Sequence, residues 1–132
     1  MEADTVLTTR VRAICLALPE ATERLSHGTP AWFVRDKKSF ATLWAAGHHA
    51  ADFPQLWCAG LPGAQEALVS SAPERYFRPP YVGHRGWIGV RLDETDDKPV
   101  DWAELAELCA DAYRAVAPAR LVALLDEGLG QR

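Results

Sequence analysis

The chain is poor in the features that mark several large protein classes. Cysteine occurs three times, as Cys15, Cys58 and Cys109, with no Cys-x-x-Cys pair. That spacing gives neither a zinc cradle nor a disulfide framework and suits small buried thiols in a reducing cytoplasm. No apolar run approaches the roughly 18 residues that cross a bilayer, so no membrane partner is expected. The first residues carry Glu2 and Asp4 and lack the basic and apolar stretches of a secretory signal, which again points to the cytoplasm. Internal repeats and low-complexity tracts are absent, and 132 residues suffice for one core, so residues 1–132 read as a single domain.

Positive charge is also short. Fourteen Lys and Arg stand against eighteen Asp and Glu, a net charge of −4, so bulk electrostatics does not hold a polyanion. The distribution is uneven, however. Arg75, Arg78, Arg85 and Arg91 fall in an acid-free stretch, whereas acids crowd the segment from Asp93 to Asp111 with only Lys98 opposing them. A nucleic-acid partner would therefore need a local basic face. Apolar residues at 48 % and charged ones at 24 % predict a packed core rather than disorder.

What is present is a readable order of elements. Leu7, Val11, Ile14 and Leu18 recur at helical spacing, with Asp4 or Thr5 as cap and Pro19 beyond the end, predicting a helix over 5–17. After the turn-rich Ser26 to Pro30, the runs 31–34 and 39–44 flank Arg35-Asp36-Lys37-Lys38 and read as a β-hairpin with a charged tip. Residues 55–59 make a third strand, and 64–69 a short helix. Two further strands, 76–82 and 87–92, are joined by Gly83-His84-Arg85-Gly86, with Pro79 and Pro80 pointing to a sheet edge or a bulge.

Asp101 and Glu104, with Val100 against Leu105, form an Asp-type capping box and hydrophobic staple at the start of a helix. Its buried stripe is predicted as Trp102, Leu105, Cys109, Ala112 and Val116. Pro118 begins a short C-terminal helix stopped at Gly128. The order α-β-β-β-α-β-β-α plus that helix implies an α+β fold: a two-layer α/β domain whose antiparallel five-stranded sheet is covered on one face.

Catalytic and metal-binding patterns are weak. His48, His49 and Asp52 are the only metal-like cluster, but adjacent residues on an extended segment point to opposite faces, so no metal and no cofactor is expected. Ser26 with His27, or Cys58 with a histidine, lacks the surroundings of a nucleophile, and a thiol in an apolar strand stays protonated. Gly83, Gly86 and Gly89 lack the Lys-Ser/Thr ending of a phosphate loop. No catalytic residue is assigned, and the chain reads as a binding protein rather than an enzyme.

Several stretches together resemble the MmcQ/YjbR family. They are His27-Gly28-Thr29-Pro30-Ala31-Trp32-Phe33-Val34 with Lys37-Lys38-Ser39-Phe40-Ala41, Tyr81-Val82-Gly83 to Gly86-Trp87-Ile88-Gly89-Val90, and Ala112-Tyr113-Arg114. Leu18 to Glu23 and Asp101 to Leu105 match as well, so the likeness spans nearly the whole chain. The resemblance implies an α-β(3)-α-β(2)-α fold, akin to secretion chaperones and to CyaY-like proteins, and a DNA-binding role with a double-wing arrangement. Ala59 stands where many members carry Lys or Arg.

Two functional expectations follow. The first is a non-enzymatic protein binding double-stranded DNA through basic tips, with Arg35, Lys37, Lys38, Arg78, His84 and Arg85 at the phosphates. The alternative is a small-molecule or peptide-binding module with a pocket among Trp32, Trp44, Trp57 and Trp87, tryptophans that are otherwise core material.

Overall fold

Thr5 opens the first helix, its hydroxyl accepting the Thr8 amide at 3.0 Å and so satisfying one of the donors a helix start leaves unpaired. The computed structural model describes residues 5–48, 51–94 and 98–130. Its elements are α1 (Val6–Leu16), β1 (Ala21–Ser26), β2 (Thr29–Val34), β3 (Lys38–Trp44), β4 (Gln55–Cys58), α2 (Ala64–Ser71), β5 (Tyr76–Phe77), β6 (Ile88–Arg91), α3 (Trp102–Val116) and α4 (Ala119–Gly130), with a 3-10 turn at Gly83–Arg85. All strand pairs are antiparallel, in the order β1-β2-β3-β4-β6-β5.

The α+β class holds, but the sheet has six strands rather than the expected five, because residues 21–26 form β1. That strand is Ala-Thr-Glu-Arg-Leu-Ser, and its pattern hid it. The position facing the helices is taken by a carboxylate: Glu23 accepts from the Trp32 indole at 2.9 Å and from Arg12 of α1 at 2.8 and 2.9 Å. Leu25 instead points to solvent. Glu23 and Leu25 share one face of the strand, so that face carries a carboxylate at one position and an exposed leucine at the next, and it lacks the buried apolar series by which a strand is recognised.

Two tight turns set the first three strands. His27 and Gly28 between β1 and β2, and Arg35 and Asp36 between β2 and β3, all have positive φ. That geometry suits the two-residue hairpin turn whose twist matches its strands. A bulge at Trp32/Phe33 then shifts the β2–β3 register.

Register separates the two faces. Trp32, Ala41, Cys58 and Ile88 are consecutive cross-strand partners on the helix side. There Cys15 of α1 meets Cys109 of α3 near Cys58, and burial pushes the Cys15 and Cys58 thiols well up, keeping both protonated. Phe40 meets Tyr113 of α3 edge-on at 5.7 Å. The opposite row runs Ala31, Thr42, Trp57, Gly89 and Phe77.

Other expectations are refined. Strand 76–82 shrinks to the two-residue edge strand β5, since Pro79 and Pro80 cannot extend the ladder. At α3, Asp101 accepts the Glu104 amide at 3.0 Å, yet Glu104 does not close the box. Its carboxylate takes the Tyr76 hydroxyl at 2.6 Å instead. Leu108 and Tyr113 join the buried stripe, while Trp102 and Val116 are only half-buried. The terminal helix runs through Gly128 rather than stopping there.

Candidate aromatic and basic cleft

A cleft of about 880 Å³ opens on the face that carries Thr42 and Trp57. Three elements build its aromatic wall. Trp44 ends β3 and Trp57 lies on the neighbouring β4, their rings 5.1 Å apart. His48, from the loop after β3, meets both, edge-on to Trp44 at 4.6 Å and tilted against Trp57 at 4.8 Å. Tyr81 meets His48 edge-on at 5.9 Å.

Hydrogen bonds fix part of this wall. Gln55, almost wholly buried, accepts from the Trp57 indole at 2.8 Å and donates to the Ala51 and Phe53 carbonyls. The Trp44 indole N–H, by contrast, is buried without a partner among the described residues. Gln65 of α2 donates to the carbonyls of Gly83 (2.8 Å) and Trp87 (2.6 Å), which pins the 3-10 turn carrying Arg85 beside the sheet.

The cleft's charge is one-signed. Lys37 and Lys38 from the β2–β3 tip and Arg85 from the 3-10 turn line it, and among the described residues no Asp or Glu does. Lys37 and Lys38 have no ion-pair partner among the described residues. Arg85 lies 5.6 Å from the Trp87 ring.

The residues singled out from sequence thus divide. Lys37, Lys38 and Arg85 meet Trp44, Trp57 and Trp87 in one cleft, so the basic and aromatic sets share a site. Arg35 is turned away into an ion pair with Glu20 at 2.6 Å. His84 and Arg78 are exposed outside the lining, with the Arg78 stem across Gly83. Trp32 leaves the tryptophan set, being wholly buried on the helix side.

Sequence reasoning missed Tyr81 and the place of His48 among the aromatic rings. The signal for Tyr81 was an aromatic directly after Pro79-Pro80, in a stretch that cannot continue a strand. Of the metal-like cluster, His48 packs edge-on against Trp44, Asp52 is exposed, and His49 lies outside the described residues. No group of three or more His, Cys, Asp or Glu converges as a metal would need among the described residues. Ser26 and His27 are hydrogen-bonded neighbours at 3.2 Å on an exposed turn. No third group orients His27 among the described residues.

An antiparallel sheet with helices on one face and a cleft on the other defines a two-layer α+β protein. The YjbR family model matches residues 16–115, and the chain belongs to that family, also called MmcQ/YjbR. It is also similar in fold to the crystal structure of Deinococcus radiodurans protein DR2400, which carries the family-model domain DUF419. The TM-score is 0.66 at 20 % identity, over 96 % of this chain and 88 % of that one. No curated protein matches the chain. Among the described residues, no helix is long and apolar enough to cross a membrane.

Proposed function

We propose that this chain is a non-enzymatic DNA-binding protein whose contact surface is the cleft and its basic rim. One observation carries the reading: in a chain of net charge −4, the cleft is lined by three cations from two separate elements and, among the described residues, by no acid. Lys and Arg on exposed tips reach phosphates at little desolvation cost, and phosphate contacts dominate nucleic-acid affinity. The acids of α3 begin at Asp101 and Glu104, where they serve the helix start. Arg35 takes no part, because Glu20 occupies it.

A titration against random duplex DNA at two salt concentrations tests this. Each lost phosphate contact lowers the slope of log affinity against log salt by about 0.9, so Lys37→Ala/Lys38→Ala/Arg85→Ala should flatten it by up to about 2.7. The triple variant should also weaken binding to all duplexes alike. Unchanged affinity and slope, or no binding by the parent protein at low salt, overturns the reading. The aromatic wall favours a second reading in the same cleft, a small molecule or peptide carrying a flat ring.

A further inference from the structure

Tyr81 is 73 % exposed and sits at φ 67°, in the left-handed region that a side chain disfavours. The Val82 amide donates to the Pro80 carbonyl at 2.7 Å, closing a three-residue γ-turn of the rare positive-φ form around it. Glycine would adopt this conformation without strain. A large aromatic in its place gains nothing from burial, yet its ring is delivered to the cleft beside His48 and the Trp44–Trp57 pair. Strain of this kind persists where the surroundings impose it and gathers at ligand clamps.

We propose that the cleft takes one unpaired nucleotide, its flat base against Tyr81 and the tryptophan wall and its phosphate towards Lys37, Lys38 and Arg85. The inference rests on the cleft being the ligand-receiving surface and adds the class of ligand. A cleft of about 880 Å³ lies in the size range of small-molecule sites. Stacking on aromatic side chains is open to any base, since every base has a π-face. Bases inside a duplex are paired and stacked on each other, and so cannot face a wall recessed between Lys37 and Arg85.

The test titrates deoxyadenosine monophosphate, deoxyadenosine and inorganic phosphate separately, read by calorimetry and by quenching of tryptophan fluorescence. The monophosphate should bind at least about tenfold more tightly than either fragment, with quenching. Tyr81→Phe should bind like the parent. Tyr81→Gly should raise the unfolding midpoint, because strain is relieved, and still lose about tenfold in nucleotide affinity. Phosphate binding as tightly as the nucleotide, no nucleotide binding at millimolar concentration, or full affinity in Tyr81→Gly each overturns the inference. Duplex binding sensitive to Lys37→Ala/Lys38→Ala/Arg85→Ala in a protein that ignores the nucleotide would overturn this inference alone. Failure of both titrations removes the cleft as the site.

Discussion

Glu23 shows how one side chain can decide whether a strand is recognised. Its carboxylate is shared by the Trp32 indole and the Arg12 guanidinium, so the acid replaces an apolar contact on the helix-facing side of β1. Removing it strands a buried indole N–H and takes one ion-pair partner from the half-buried Arg12 guanidinium. Leaving a buried donor unsatisfied costs about 1–3 kcal/mol, so Glu23→Ala should lower unfolding stability by that order, measured by urea denaturation. Glu23→Gln keeps an acceptor for Trp32 and should cost less. The Arg12 pair is not needed to explain that difference.

At the scale of elements, α3 carries a cap without a full capping box. Asp101 satisfies the Glu104 amide, while Glu104 ties the helix start to Tyr76 of the edge strand β5. Burial and the Glu104 carboxylate together push the Tyr76 phenol well up, so that contact keeps its hydroxyl donor throughout the neutral range. Asp101→Ala should cost about 0.5–2 kcal/mol of stability by denaturant titration, and leave ligand affinity unchanged at a temperature where the variant is folded. The cap lies at the start of α3, whereas only Ala115 and Val116 of its last turn border the cleft. A folded variant with selective loss of binding would contradict this separation.

At the scale of the whole molecule, helices α1 and α3, the β2–β3 hairpin and β4 were legible because each keeps a local period, a cap or a turn signal. β1 was not, because the face shared by Glu23 and Leu25 carries a carboxylate and an exposed leucine in place of a buried apolar series. Nor was β5 at its true length, since two prolines cut it. The basic residues of the cleft were legible singly, but their meeting with the tryptophans was not. Lys38 and Arg85 come from elements far apart in sequence, and only the order β3-β4-β6 brings them to one face. The same topology has a kinetic side. Strands β1, β2 and β3 follow one another through connections of two and three residues, whereas β6 must insert between β4 and β5 across the longer connection that holds α2. Loop closure favours short separations, so the transition state for folding should already hold the first three strands. Leu43→Ala, in β3, should then slow refolding, whereas Val90→Ala, in β6, should mainly speed unfolding, in stopped-flow chevrons. The rim lysines at the β2–β3 turn would thus be set in place early, before the chain that supplies Arg85 arrives to complete the cleft.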